Sequence, residues 1–340
     1  AEPLAIRGIV FFHLVNMYQH TYKGHESLPG IPLVLTTSPT DKPARATVED
    51  TYKQIIKDLT PMATYGQETA DKKDVDKFVA AAYLAKVYAQ MEDWANCEKF
   101  AAIAKMGGND MISEPGRSWA IKGTADILWG ADVTSANSAL WASYWSHVDQ
   151  FLKRGYAAGG HKKFIHNALY AKIPATDSRR KLWVNLTDYP DIAKKIKRQA
   201  SNTKVVMENY DQLKFIAGED GMEQDYCFIR VQDPILLEIE AQIEQNKLTQ
   251  AAANLNAFAQ KRDPAFVAAT TQADLREQVR FQRRIELWFE GTNWFDMKRW
   301  KLTINRDVPN TNHPVVFTMA TDDNKFYHML PISELESNPN

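Results

Sequence analysis

The chain has 340 residues, of which 44% are hydrophobic and 24% are charged, a composition typical of a soluble globular protein with one or two domains and a substantial core. Its formal net charge of -1 excludes a general electrostatic attraction to nucleic acid or anionic lipid. No run of about 18 apolar residues occurs, so the sequence predicts no membrane-spanning helix. Nine Trp and thirteen Tyr are more aromatic residues than a helical core usually requires.

The first part of the chain is predicted to be helical. Residues 4–22 predict a helix rich in bulky side chains, in which His13 is expected to be a hydrogen-bonded core residue. Residues 28–34 contain prolines and a glycine, which predicts an extended connector. Residues 47–63 predict a second helix, because a Thr-x-x-Asp variant of the capping pattern begins at Thr47.

Two helical hairpins suggest a repeat architecture. Residues 75–90 and 94–106 predict the first hairpin, and the residues that match the offsets of the tetratricopeptide pattern are Leu84, Ala85, Tyr88, Trp94, Cys97 and Ala104. In the second hairpin the matching residues are Ile239, Ile243, Ala252, Ala259 and Pro264. The predicted fold class is therefore mostly α: a tetratricopeptide-like helical-repeat superhelix with an irregular, loop-rich insertion that contains short strands.

The insertion, residues 107–231, has poor helical periodicity, and residues 127–131 and 225–231 are its predicted strands. Large rings beside flexible backbone suggest a sugar-binding platform, since the C–H patches of pyranose rings pack on aromatic faces. The candidate ligand-binding residues are Trp141, Tyr144, Trp145 and Tyr156, with Trp119 and Trp183 as weaker alternatives. The other interpretation is that one or two of these rings fill the base of the insertion against the helices.

Catalytic and metal-binding motifs are not evident. The sequence has no phosphate-binding loop, dinucleotide fingerprint, nucleophile elbow or zinc-protease motif, and the spacing of its acids singles out no pair for glycoside hydrolysis. His161 and His166 are a weak metal candidate. Cys97 and Cys227 could pair, but the predicted packed helix face around Cys97 favours a buried thiol. We therefore predict a protein that is not an enzyme, with neither metal nor cofactor.

Residues 278–300 contain many aromatic and charged residues close together, some of them at helical spacing. One apolar helix face is predicted to consist of Phe281, Ile285, Trp288 and Phe289. Gly291 is placed for a left-handed helix stop. A second apolar cluster follows it and continues to Trp300, and the charged residues within this cluster are expected to pair. We interpret this stretch as core rather than as a binding site. Beyond it, residues 326–332 predict an edge strand.

The sequences of several segments resemble those of one known family. Residues 283–300 read Arg-Arg-Ile-Glu-Leu-Trp-Phe-Glu-Gly-Thr-Asn-Trp-Phe-Asp-Met-Lys-Arg-Trp, which closely resembles the C-terminal signature of the SusD/RagB family. Residues 330–340 closely resemble that family's C-terminal Pro-x-x-Glu-Leu-x-x-Asn-Pro motif. Residues 5–18 are similar to its first repeat helix, and the Asp-Ser-Arg-Arg run from Asp177 resembles a recurrent salt-bridge element of the family.

Members of this family are surface nutrient-binding lipoproteins of Bacteroidetes that work with TonB-dependent transporters. The resemblance implies a non-enzymatic lipoprotein on the outer face of the cell outer membrane, which binds oligosaccharide or polysaccharide and delivers it to a SusC-like transporter. It also implies a lipid anchor on a segment absent from this chain, so Ala1 is expected to be a processed start. Helical repeats are expected in residues 1–106, ligand binding in 107–231, and a further repeat with the signature in 232–340, all packed as one unit. Peptide capture by the same architecture and a plain repeat scaffold for another protein remain open alternatives.

Overall fold

A computed structural model describes residues 1–38, 40–138, 142–152, 155–191, 205–217 and 223–338. Helices make up 44% of the structure and the strands are short, which confirms the predicted mostly α fold class. The helices are α1 (Glu2–Tyr18), α2 (Val48–Tyr65), α3 (Lys77–Met91), α4 (Trp94–Ala104), α5 (Tyr144–Val148), α6 (Asn167–Tyr170), α7 (Gln232–Glu244), α8 (Leu248–Ala259), α9 (Gln272–Glu286), α10 (Asn293–Arg299) and α11 (Ile332–Ser337). The strands are β1 (Pro29–Pro32), β2 (Arg45–Thr47), β3 (Ile127–Ala131), β4 (Tyr226–Arg230), β5 (Ile304–Asn305) and β6 (Thr318–Met319). Within the described ranges, no helix combines the length and the hydropathy needed to span a membrane.

Local capping explains where helices α2, α3 and α4 begin. Thr47 accepts a hydrogen bond from a backbone N–H in the first turn of α2, as the sequence predicts. Asp76 does the same for α3 and Asp93 for α4. Between α3 and α4 the chain reverses at Glu92, which has a left-handed φ of 58°. The first predicted hairpin is thereby confirmed, and α7 with α8 forms the second.

One hydrophobic core joins the first four helices to α7 and α10. Among its buried residues are Val15, Leu59, Val87, Cys97, Leu237 and Phe295. Both ends of the chain therefore contribute to the same core. Cys97 is completely buried, and it and Cys227 are free thiols, so the two residues form no disulfide. The division of the chain at residues 106 and 231 stays a prediction.

The strands pair two by two and antiparallel: β1 with β2, β3 with β4, and β5 with β6. The predicted strands of the insertion are confirmed as β3 and β4. The predicted edge strand at residues 326–332 is wrong. A 3-10 turn at Asn324–Phe326 buries Phe326 against Trp294, with ring centroids 4.8 Å apart, and α11 begins after Pro331. A proline cannot donate to a sheet ladder and is favourable at a helix start.

Helix α9 ends at Glu286 rather than at Gly291, the predicted stop. Lys214 Nζ donates to the Glu286 carbonyl at 2.7 Å and to the Trp288 carbonyl at 3.0 Å, so it satisfies carbonyls that a helix end leaves unpaired. The chain then turns, with left-handed φ values of 62° at Phe289 and 77° at Gly291. Trp288 and Phe289 consequently leave the predicted apolar helix face.

Buried charges pair between elements rather than along α9. Glu286 accepts from Arg262 at 2.7 Å and from Arg179 at 3.2 Å. Arg179 also lies 2.7 Å from Asp177, which confirms the predicted salt bridge. Arg283 pairs instead with acids on α7 and α10. Burial opposes ionisation of Glu286, but its arginine partners outweigh burial and hold the pKa of this carboxyl well below its usual range.

Helix α1 is also shorter than predicted, because its end is capped from α10. Lys298 Nζ donates to the carbonyl oxygens of Asn16 at 2.6 Å and Gln19 at 2.5 Å. His13 on this helix contacts the Tyr83 hydroxyl through Nε2 at 3.2 Å. Burial lowers the pKa of His13 to about 4, so it is a neutral, hydrogen-bonded residue as predicted.

Candidate functional site

A cavity of about 1090 Å³ opens between the helical repeats and the insertion. It is lined by residues of α1 and α3, the β3–β4 ribbon, the α5 region, the turn after α9, and the segments 162–169 and 306–314. These elements are far apart in the sequence, so the cavity is a product of the whole fold.

The β3–β4 ribbon contributes Trp129 and Phe228 to one wall of the cavity. Their ring centroids lie 4.7 Å apart with 60° between the planes. Trp129 Nε1–H donates to the Lys73 carbonyl at 3.1 Å, which fixes the indole. Phe228 is 43% exposed, whereas its strand neighbour Ile229 is buried, as strand alternation requires. The ribbon therefore presents a positioned pair of rings to the cavity.

The turn after α9 contributes a second aromatic wall. Trp288 and Phe289 have centroids 5.2 Å apart, and Trp183 packs edge-on against Trp288 at 5.6 Å from inside the protein. Phe289 is 40% exposed. The interpretation of this part of the signature as core only is therefore wrong: the turn carries these rings out of the core and onto the cavity surface.

Charged side chains beneath this turn hold it in place. Glu290 lies 2.6 Å from Arg230 Nη2 and 2.5 Å from Lys214 Nζ. Burial lowers the pKa of Lys214 to about 8. Burial opposes ionisation of Glu290 too, but Arg230 and Lys214 outweigh it and keep the pKa of its carboxyl below the usual value. The turn is thus anchored by an ionised, buried network.

The floor of the cavity consists of buried rings. Trp145 is 1% exposed, and its Nε1–H donates to the Gln224 carbonyl at 3.0 Å. Trp119, also 1% exposed, stacks on Phe215 at 4.7 Å. The expectation that Trp145 presents an exposed platform is wrong, because the ring faces inward from α5 and its polar atom is satisfied there. Trp183 is equally buried.

The other candidates from the sequence have different positions. Trp141 lies outside the described residues. Tyr144 is half-buried on the cavity wall, with its ring 6.3 Å from that of Phe289. Tyr156 is 44% exposed and stacks on His147 at 4.8 Å, away from the residues that line the cavity. The three candidate rings that the structure describes therefore do not form one surface, and Tyr144 is the one among them that lies half-exposed at the cavity wall.

The end of the cavity near α6 is polar. His166 Nδ1 accepts from the Ala168 N–H at 3.3 Å, and Nε2 lies 3.2 Å from the Thr311 hydroxyl. Asn312 donates to the Ile165 carbonyl at 2.9 Å. In the part of the chain that the structure describes, no three His, Cys, Asp or Glu side chains group together as metal ligands would. His166 thus has a hydroxyl partner, and His161 lies outside the cavity lining.

Some cavity residues were missed by sequence reasoning although a signal existed. Alternation along β4 places Phe228 on the face opposite Ile229. Successive helix residues point about 100° apart, so Arg284 cannot share the buried partners of Arg283. No local pattern indicates that the turn after α9 approaches the β3–β4 ribbon, because that proximity depends on Arg230 and Lys214.

Comparisons with known proteins agree with this architecture. The family model described as "SusD family" matches residues 147–340, and the model described as "Starch-binding associating with outer membrane" matches residues 1–89. No curated protein sequence matches the chain.

Solved structures show the same fold at low sequence identity. A SusD superfamily protein from Bacteroides vulgatus is 20% identical with a TM-score of 0.80, covering 100% of this chain and 75% of that one. A SusD-like carbohydrate binding protein from the same organism is 21% identical with a TM-score of 0.78, with 100% and 75% covered. A SusD superfamily protein from Bacteroides thetaiotaomicron is 19% identical with a TM-score of 0.73, with 99% and 76% covered. The first of these family models matches more than half of the residues of this chain, and the chain therefore belongs to the SusD family.

Proposed function

We propose that this protein binds oligosaccharide in the aromatic cavity, without catalysing its breakdown. The observation that carries the proposal is that two pairs of rings, Trp129 with Phe228 and Trp288 with Phe289, line the same cavity, each positioned by contacts behind it and partly exposed. Pyranose rings pack their C–H patches on such faces. The cavity volume of about 1090 Å³ slightly exceeds the usual range of small-molecule sites, roughly 300–1,000 Å³, and suits several sugar units.

The acidic side chain of the cavity supports the binding of a glycan rather than its hydrolysis. Glycoside hydrolysis requires two carboxyl groups facing each other across the bond that breaks. Among the described residues that line the cavity, Glu290 is the one acid, and its oxygens are held by Arg230 and Lys214. An ionised carboxylate in two ion pairs is poorly suited to donate a proton.

The proposal extends to the place and partner of binding. The family model over residues 1–89 is described as associating with the outer membrane, which supports a lipid-anchored protein on the outer face of that membrane. There it would deliver bound oligosaccharide to a SusC-like TonB-dependent transporter. Co-purification of the transporter with the full-length protein from native membranes tests this part; recovery without any transporter would contradict it.

A binding screen tests the function itself. The protein is applied to an array of plant, host and microbial oligosaccharides, with a protease-derived peptide pool assayed in parallel. We expect saturable binding to oligosaccharides and none to peptides. Binding to peptides alone would favour the alternative of peptide capture, and binding to neither would favour a scaffold.

A further inference from the structure

Two arginines on the cavity wall, Arg284 and Arg306, lack hydrogen-bond acceptors. Both line the cavity, and the Nε atom of each is buried without a hydrogen-bond partner in the described chain. The other described arginines all donate hydrogen bonds, for example Arg230 to Glu290, Arg262 to Glu286 and Arg299 to Glu240. The Nε atoms of Arg180 and Arg280 are also buried and unpaired, but both of these side chains donate through Nη1. Among the described arginines, the two whose guanidinium groups donate no hydrogen bond at all therefore both line the cavity, although buried polar groups are normally paired.

The fold brings these arginines together from separate elements. Arg284 lies on α9, and Arg306 directly follows β5, where its backbone N–H donates to the Phe317 carbonyl at 2.8 Å. Burial lowers the pKa of Arg284, and the charge of Arg306 lowers it further. Burial likewise lowers the pKa of His166, with Arg306, His313 and Arg284 adding to the effect. The two guanidinium groups therefore repel each other, and they lie near His166 in one region of the wall.

The other described charged side chains that line the cavity already have hydrogen-bond partners and leave no free carboxylate for Arg284 and Arg306. Glu290 is held by Arg230 and Lys214. Lys162 is itself paired with Glu208 at 2.8 Å and with Asp211 at 3.3 Å. The charge of Glu277 acts on Arg284 from a distance, but the carboxylate of Glu277 pairs with Arg280 at 3.3 Å. The polar end of the cavity thus carries two guanidinium groups without a hydrogen-bonded carboxylate among the described residues, a costly arrangement in a partly desolvated site.

We infer that the oligosaccharide bound in this cavity carries a carboxylate or sulfate group, which Arg284 and Arg306 hold between them while its sugar rings pack on the aromatic walls. The inference rests on the proposed function and specifies its ligand as an acidic glycan. A guanidinium group presents a planar fork of N–H donors that matches the two oxygens of such an anion.

The test compares matched glycans on wild-type protein. Uronate-containing and sulfated oligosaccharides are arrayed beside their carboxyl-reduced or desulfated counterparts, so that the members of each pair share one sugar backbone and differ at the acidic group. We expect at least one acidic member to bind roughly tenfold to a hundredfold more tightly than its neutral counterpart, the scale of a charged hydrogen bond. The preference should weaken as salt is raised.

A double variant, R284Q with R306Q, identifies the residues responsible. It should lose the preference for the acidic member and retain the weaker binding of the neutral one. Arg276→Gln is the control, because Arg276 lies on the same helix and pairs with Glu244 at 2.6 Å, outside the cavity lining. This control should keep the preference. Since neither cavity arginine donates a hydrogen bond, the double variant should melt no lower than wild type.

The outcomes separate the inference from the proposed function. Equal binding of acidic and neutral members by wild type would overturn the inference and leave glycan binding standing. A charge preference that survives in the double variant would also overturn it. Absence of any glycan binding would remove the proposed function and the inference together. The wild-type comparison needs no variant, so it holds even if the double variant fails to fold.

Discussion

Arg230 and Glu290 form a two-point ion pair behind the cavity, with Nη2 2.6 Å from Oε1 and Nε 2.9 Å from Oε2. Arg230 is the last residue of β4, two residues after Phe228. Glu290 directly follows Trp288 and Phe289. The pair therefore connects the two aromatic walls, and Arg230 extends the connection to Asp126 at 3.0 Å.

Breaking this pair should cost much of the protein's stability. Arg230→Met removes one of the two cationic partners of the carboxylate of Glu290, which keeps Lys214, and one of the two partners of Asp126, which keeps Arg117. Removing one member of a buried ion pair costs about 3–5 kcal/mol when the remaining charge is left uncompensated, and because Lys214 and Arg117 remain we expect a loss of about 3 kcal/mol. The free energy of unfolding should fall by that amount in urea denaturation.

A solvent-exposed pair provides the matched control. Lys53 lies 3.0 Å from Glu49 on the surface of α2, and exposed pairs contribute little. Lys53→Met should leave the urea midpoint unchanged within error. Equal midpoints for Arg230→Met and Lys53→Met would show that the buried network does not anchor the turn.

The two tryptophans Trp300 and Trp288 should differ in their effects. Trp300 is 7% exposed and donates from Nε1 to Glu240 at 2.6 Å, so Trp300→Ala should cost about 3–5 kcal/mol, as expected for emptying a large core site. Trp288 borders the cavity, and Trp288→Ala should cost less stability but weaken ligand binding. Chemical denaturation of both variants checks this; a larger stability loss for Trp288→Ala would place that ring in the core.

The stability contribution of Lys298 should depend on pH. Burial lowers the pKa of Lys298 from 10.5 to about 7, so between these values the unfolded chain binds a proton that the folded protein does not. Stability therefore rises with pH over this interval, by at most about 1.4 kcal/mol per pH unit. The unfolding free energy of wild type relative to Lys298→Met should increase from pH 7 to 9. A constant difference across that range would mean that Lys298 stays charged when folded.

Much of the fold could be predicted from the sequence because its signals are local. Capping at Thr47, the small residues of the α3–α4 hairpin and the apolar strands at 127–131 and 225–231 act within a few residues of one another. The failures have non-local causes. Helix α9 stops early because Lys214, distant in sequence, satisfies its carbonyls, and residues 326–332 form no strand because Phe326 packs on Trp294.

The candidate site was less predictable for the same reason. The spacing of Trp141, Tyr144 and Trp145 fits both a platform and a packed helix, and only burial separates these possibilities for Trp145. Helical periodicity separates Arg284 from the buried Arg283, but no sequence pattern shows that Arg284 and Arg306 lack acceptors, because a missing acceptor is a property of the folded surroundings. Rings outside the insertion, such as Phe289, reach the cavity through a turn that no periodicity indicates.

Isothermal titration calorimetry with the tightest-binding oligosaccharide of the array tests the central claim most directly. The comparison is between Phe289→Ala, a cavity ring that is 40% exposed, and Tyr156→Ala, a ring that is 44% exposed outside the cavity lining. Because the two rings are exposed to a similar extent, both substitutions should affect protein stability similarly. A difference in Kd between the two variants is therefore not explained by a general loss of stability. Loss of one stacking ring should weaken binding by about 1–3 kcal/mol, on the scale of bases stacked on aromatic side chains. We expect Phe289→Ala to raise Kd by about tenfold or more and Tyr156→Ala to leave it unchanged; the reverse result would contradict the assignment of the cavity as the binding site.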